Sequence, residues 1–151
     1  KLCTLKFFRG LVDLKIPKRS KSFFKNNIEE LYKLGCATIH KNNDFVDYEK
    51  LKVNKIKLDD DLIDVDIGFI KIDVEGHEKE VIEGATNLIN KFKPVLLVEI
   101  EERHTKKPII NTINFIKNYG YTAHFCKKNE LYNIDKLQNL DDENNFIFIP
   151  N

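Results

Sequence analysis

Two groups of carboxylate and imidazole side chains stand near the middle of the sequence, each directly after an apolar segment. The first group follows residues 67–72 and contains Asp73, Glu75, His77 and Glu78. The second follows residues 95–98 and contains Glu99, Glu101, Glu102, Arg103 and His104. Carboxylates and imidazoles transfer protons in general acid–base catalysis, and they are also common metal ligands. Proton transfer and metal binding are therefore the two kinds of chemistry to consider.

The spacing of apolar residues predicts the elements that would position these groups. Residues 67–73 and 95–100 are nearly continuous apolar runs, as expected for strands covered on both faces. A helix is predicted between them, because apolar residues recur there at helical spacing: Val81, Ile82, Ala85, Leu88, Ile89 and Phe92. Ligands of open α/β sheets bind at the carboxyl ends of parallel strands. The two groups should therefore face one crevice.

The remaining patterns predict further strands and helices. Strands are predicted at residues 2–8, 11–16, 51–58, 121–126, 130–134 and 146–149, and helices begin near Ser22 and Pro108. Residues 42–50 are polar and loop-like, and residues 59–61 form a run of aspartates typical of a solvated turn. The repeated strand–helix–strand order predicts an α/β fold with a mostly parallel sheet and an antiparallel C-terminal edge. Residues 1–151 are expected to form a single, partial domain.

Composition excludes several classes of protein. The chain has 151 residues, with 25 Lys+Arg against 24 Asp+Glu, and this balance argues against a dedicated nucleic-acid binder. No apolar run approaches the roughly 20 residues that span a bilayer. The three cysteines form no CxxC pair, which favours reduced thiols without a metal. We therefore expect a soluble, cytoplasmic protein without nucleic-acid or membrane partners. Composition predicts no oligomeric state.

The individual roles of the carboxylates and histidines stay open on spacing alone. Acidic residues such as Glu75 and Glu78 stabilise a helix N-terminus by about 0.3–1 kcal/mol each without any catalytic role. His77 is a candidate proton acceptor, although a surface histidine without a role would have the same pattern. Asp73, Glu75, His77, Glu99 and His104 are suitable ligand types for a metal. No diagnostic ligand spacing such as HExxH is present, so no metal site is predicted.

The middle of the sequence resembles the signature of FkbM-family methyltransferases. The resemblance is strongest in the stretch FIKIDVEGHE at residues 69–78, and it continues through Gly84 to the strand at residues 95–100. Residues 10–17, 36–39 and 53–62 resemble upstream parts of the same family, and the likeness weakens after about Gly120. It implies a Rossmann-like class I methyltransferase fold that transfers a methyl group from S-adenosylmethionine, typically to a hydroxyl oxygen of a small molecule or sugar.

The resemblance also implies roles for the two groups of side chains. Asp73, Glu75 and His77 would be the catalytic residues, with His77 as the leading candidate for the base. Asp73 and Glu75 would also line the rim of the cofactor pocket. Glu78, Glu99 and His104 would lie on the substrate side. The partner would be a small-molecule or glycan acceptor.

The sequence departs from the family in one respect. Relatives begin with a strand and an Asp-x-Gly-x-x-x-Gly cofactor loop, and this sequence contains no such loop. The N-terminal cofactor-loop strands are therefore expected to be missing, so that the chain is a C-terminal fragment and inactive alone. The absence of Met agrees with this expectation. Two alternatives stay open: a non-catalytic remnant or binding module of the same fold, and a metal-assisted hydrolase that uses Asp73, Glu75 and His77.

Overall fold

A computed structural model describes residues 10–17, 48–62, 65–136, 140 and 143–151 of the chain, with side chains from residue 50 onward. The contacts divide the chain into two compact units, one of residues 9–55 and the other containing residues 56–151. The strand predicted at residues 2–8, the helix predicted from Ser22 and the resemblance at residues 36–39 lie outside the described residues. The single-domain expectation stays a prediction.

The unit of residues 9–55 contains an antiparallel pair of strands. β1 (Gly10–Pro17) pairs with β2 (Tyr48–Lys55), with Val12 opposite Val53. The strand predicted at residues 11–16 is confirmed, and Pro17 belongs to its end, where a missing N–H is tolerated. The loop predicted over residues 42–50 is wrong for residues 48–50, because β1 supplies a pairing partner that offsets their polar composition. The strand predicted to reach residue 58 ends at Lys55.

The other unit is built on a five-stranded sheet with helices. The strands are β3 (Phe69–Ile72), β4 (Val95–Glu99), β5 (Tyr121–Lys127), β6 (Glu130–Asn133) and β7 (Asn145–Pro150). The helices are α1 (Leu58–Asp61), α2 (Glu78–Glu83), α3 (Thr86–Phe92), α4 (Glu102–Thr105) and α5 (Ile109–Lys117), and a 3₁₀ turn covers Ile134–Lys136. The fold is therefore mixed α/β, as predicted, and the hairpin of β5 and β6 is confirmed.

The strand order corrects the predicted sheet. The order is β3-β4-β7-β5-β6, and of its four pairings only that of β3 with β4 is parallel. The expectation of a mostly parallel sheet is therefore wrong for the described strands. β4 and β5 run in the same direction, but β7 lies antiparallel between them instead of at an edge. The reason is a long-range pairing, in which Leu96 lies opposite Phe148, and sequence periodicity does not report such pairings.

Side-chain burial shows which face of the sheet carries the core. Along β3, Ile70 and Ile72 are buried whereas Phe69 and Lys71 are exposed, so the prediction that this strand is covered on both faces is wrong. The core joins the buried face of the sheet to the apolar sides of α2, α3 and α5. Its most completely buried members include Ile72, Ile82, Ile89, Leu96, Val98, Ile113, Ile116, Phe146 and Phe148. The apolar stripe predicted from helical spacing between β3 and β4 is thus buried, except that its last member, Phe92, is only partly buried.

The helix predicted after Gly76 is two helices, because the chain turns at Gly84 and Ala85. Asp59 in α1 binds both sides of this break. Its backbone N–H donates to the Gly84 carbonyl (3.1 Å), and its carboxylate accepts the N–H groups of Asn87 (2.9 Å) and Leu88 (3.0 Å) at the start of α3. The aspartate run predicted as a solvated turn is therefore helical, and its first member caps another helix.

Two further features concern classes of protein considered above. No helix within the described part of the chain is both long and apolar enough to cross a membrane. Cys126 is an exposed free thiol, and the other two cysteines lie outside the described residues.

We expect Asp59→Ala to destabilise the larger unit by about 1 kcal/mol, because two N–H groups at the start of α3 lose their acceptor. Urea unfolding followed by circular dichroism measures this loss. Asp60→Ala is the matched control, since Asp60 lies beside Asp59 in α1 and its side chain is exposed. Equal midpoints for the two variants would show that the cap contributes nothing.

Candidate active site

A small, open pocket with a volume of about 50 Å³ lies at the carboxyl ends of β3 and β4. It is lined by Asp73, Glu75, Glu78, Glu99, Glu101, Arg103 and His104. Because β3 and β4 are parallel neighbours, the loops that follow them emerge at the same edge of the sheet. The prediction that the two groups of polar side chains share one crevice is therefore confirmed for these members.

The loop after β3 is turned by two residues with left-handed backbone conformations. Glu75 has φ +50° and Gly76 has φ +96°. Gly76 also lies against the loop after β4, since a Cβ built on it would stand 3.1 Å from the Cβ of His104. Glycine tolerates both the backbone conformation and the close approach. Gly76 thereby brings the two loops that form the pocket into direct contact.

Glu78, the first residue of α2, holds the loop after β3 in place through a hydrogen bond from a buried position. Its side chain is only 2% exposed, and its Oε1 accepts the backbone N–H of Gly76 at 2.7 Å. Burial raises the pKa of Glu78 above its ordinary value, and this effect exceeds the lowering by backbone hydrogen bonds and by His77. Glu78 is thus both a structural clamp of the loop and a desolvated carboxyl at the pocket.

The ends of β3 and β4 carry a second set of charges. Lys71 donates to Asp73 Oδ2 at 2.9 Å, and this hydrogen bond raises the pKa of Lys71. Burial, together with the negative charges of Asp73 and Glu101, raises the pKa of Glu99. The carboxylates of the pocket therefore repel one another, and Lys71 offsets part of this repulsion from the exposed face of β3.

Glu101 is bonded to two other side chains and contacts a third. Its Oε2 accepts from Arg103 Nε and lies 2.9 Å from His104 Nε2, and its Oε1 accepts from Asn144 Nδ2 at 3.2 Å. Burial alone would raise the pKa of Glu101, but the hydrogen bonds from Arg103 and Asn144 and the charges of Arg103 and His104 lower it overall. Glu101 is therefore held as an ionised acceptor.

The structure separates the predicted site residues into two sets. Asp73, Glu75, Glu78, Glu99 and His104 all line the pocket. His77, the predicted base, is not among the lining residues; it precedes α2 as its N-cap residue, with Nδ1 3.5 Å from Glu80 Oε1. Its predicted role stays a prediction.

Two of the site's partners were not singled out by sequence reasoning. Glu101 was only one of several polar residues after the second strand, although its spacing of three from His104 suits a helical turn. Asn144 comes from the segment before β7, and no local signal connects it to Glu101.

The metal alternative has no matching arrangement of side chains. In the described ranges, no three His, Cys, Asp or Glu side chains are grouped so that they could hold a metal ion. Three carboxylates of the pocket are bonded to other groups: Glu78 to the Gly76 N–H, Asp73 to Lys71, and Glu101 to Arg103 and Asn144.

Comparison with known families assigns the chain to a class of enzyme. Residues 14–123, more than half of the sequence, match the family model described as the methyltransferase FkbM domain. The chain therefore belongs to the FkbM methyltransferase family, as the stretch at residues 69–78 predicted. No curated protein and no solved structure matches it.

We expect Gly76→Ala to destabilise the fold by about 1–3 kcal/mol, because alanine is strained at this φ and its methyl group would crowd His104. Thermal unfolding measures the loss. Gly68→Ala is the matched control, since no atom lies within 4 Å of a Cβ built there. A Gly76 variant as stable as the Gly68 variant would contradict the close packing of the two loops.

We expect Glu78→Gln to raise stability at neutral pH. A carboxyl whose pKa is higher in the folded than in the unfolded state contributes stability while it is protonated, and that contribution is lost as the pH rises through the folded pKa. Glutamine does not ionise and keeps an oxygen for the Gly76 N–H. Urea unfolding at acidic and neutral pH should therefore show an advantage of the variant that grows with pH. An advantage independent of pH would contradict this account.

Proposed function

We propose that the protein carrying this chain transfers a methyl group from S-adenosylmethionine to a hydroxyl oxygen of a small molecule or sugar. The observation that supports the proposal best is the acidic pocket at the ends of β3 and β4, on a chain of a methyltransferase family. The reactive group of the cofactor is a sulfonium cation, and a pocket lined by one sign of charge concentrates the opposite sign. The residues present therefore fit the cofactor's charge.

The proposed roles are those that the resemblance to the family implies. Asp73 and Glu75 would lie at the rim of the cofactor pocket, and Glu78, Glu99 and His104 on the side of the acceptor. When bound, the cofactor supplies an activated methyl group. The protein would contribute by positioning the acceptor hydroxyl and by providing a base for its proton. The sequence predicts His77 for that role, but His77 is not among the residues that line the pocket. We also propose a cytoplasmic location.

The charge of the pocket can be tested without knowing the acceptor. S-adenosylmethionine is a cation at sulfur, whereas S-adenosylhomocysteine is a neutral thioether with the same remaining groups. We expect Glu99→Gln to weaken binding of S-adenosylmethionine by about threefold to tenfold, because an attractive charge near the sulfonium is lost. The affinity for S-adenosylhomocysteine should change much less. Isothermal titration calorimetry measures both affinities.

The experiment uses two proteins and one matched control. Because the sequence contains no Asp-x-Gly-x-x-x-Gly loop, both the 151-residue chain and the product of the complete reading frame are titrated. Glu83→Gln is the control, since Glu83 lies exposed on α2 and does not line the pocket. Transfer is measured from tritiated S-adenosylmethionine into a deproteinised small-molecule extract. Absence of both binding and transfer by the complete product would overturn the proposal in favour of a non-catalytic module.

A further inference from the structure

We propose that His104 accepts the proton of the acceptor hydroxyl and that Glu101 is the positioning residue that orients its ring. The inference rests on the proposed methyl transfer and names the residues that would handle its proton. It starts from the three imidazoles of the described residues, at positions 77, 104 and 124, of which only that of His104 lines the pocket.

The contact between His104 and Glu101 fixes which ring nitrogen carries the proton. Nε2 of His104 lies 2.9 Å from Oε2 of Glu101, and the two side chains are 16% and 17% exposed. An ionised carboxylate donates no hydrogen bond, and a ring lone pair held 2.9 Å from its oxygen would be repelled, so we infer that Nε2 is the nitrogen of the neutral ring that carries the proton. Nδ1 then holds the lone pair, and no described residue hydrogen-bonds to it. The neutral ring is thereby prepared to accept a proton at Nδ1.

Contacts from several elements hold this pair in place. Asn144, before β7, binds Oε1 of Glu101, and Arg103 in α4 binds Oε2. Gly76 packs against the Cβ of His104 from the loop after β3. Because these contacts already restrict the ring, a base held in this way loses little rotational freedom when it reacts.

Carboxylates dominate the surroundings of the pair. The charged groups that line the pocket with His104 are five carboxylates and one guanidinium: Asp73, Glu75, Glu78, Glu99, Glu101 and Arg103. The guanidinium of Arg103 is bonded to Glu101. His104 is therefore the only imidazole in the described lining of a pocket that is otherwise mainly acidic.

The reaction forms a carbon–oxygen bond and breaks the carbon–sulfur bond of the methyl donor. The hydroxyl proton moves to Nδ1 of His104, and an oxygen lone pair forms the new bond to the methyl carbon. The electron pair of the broken carbon–sulfur bond leaves with a neutral thioether. The products are a methyl ether, the thioether and an imidazolium, which returns its proton to water.

The first test determines which nitrogen of the His104 ring carries the proton in the 151-residue chain. Nitrogen-15 NMR of the imidazoles should show His104 protonated at Nε2 in the wild type, and Glu101→Ala should remove this preference. The ring of His124, on β5, should be unchanged by the same substitution. A proton on Nδ1 of neutral His104, or a preference that survives Glu101→Ala, would overturn the inference.

The second test measures methyl transfer by the product of the complete reading frame into the small-molecule extract. We expect His104→Gln to lower the rate by about 100-fold or more, as for loss of a general base. His124→Gln should leave the rate unchanged. Glu101→Gln keeps an oxygen that can accept from Nε2 and should retain more of the rate than Glu101→Ala; equal losses in the two variants would contradict an orienting role of Glu101.

The outcomes distinguish the two proposals. If the wild type transfers methyl groups and His104→Gln does so equally fast, the inference is overturned and the proposed function stands. The same holds if His77→Gln abolishes transfer and His104→Gln does not. If the wild type transfers nothing, the proposed function is overturned and the role in proton transfer with it, whereas the NMR result still decides whether Glu101 orients the ring.

Discussion

The close packing of Gly76 against His104 is the contact on which the rest of the pocket depends. Parallel neighbours β3 and β4 bring two loops to one edge of the sheet, but they do not by themselves bring the loops together. The left-handed turn at Gly76 does so, and the buried carboxyl of Glu78 secures it through the Gly76 N–H. A Cβ at position 76 would stand only 3.1 Å from the Cβ of His104, so the two loops would have to move apart by a few tenths of an ångström.

The pocket concentrates negative charge at some cost to the fold. Burial and neighbouring charges raise the pKa of Glu99, and burial raises that of Glu78. The surroundings therefore disfavour the ionised form of both groups. Lys71 and Arg103 offset part of the repulsion through their bonds to Asp73 and Glu101. Such an arrangement is unfavourable for an empty pocket and favourable for one that holds a cation, which is the charge expected of a sulfonium donor.

The features that the sequence predicts correctly are those determined by residues that lie close together along the chain. β3, the turn after it and the stripe that α2 and α3 bury are contiguous in sequence, and the rule for strand ends then places Asp73, Glu75 and Glu99 together. The missed features depend on long-range contacts: β7 between β4 and β5, Asp59 capping α3, and Asn144 on Glu101. The position of His77 outside the pocket lining depends on backbone angles that residue types alone did not predict.

The central place of β7 links the site to the order in which the chain is synthesised. β7 is the last strand along the sequence, yet it lies between β4 and β5, and Asn144 directly before it binds Glu101. On the ribosome, β3, β4 and the helices around them emerge long before the strand that completes their sheet. Until then β4 has an unpaired edge, which is a site for aggregation during synthesis. The pocket therefore cannot be completed before β7 has been synthesised and has paired with β4.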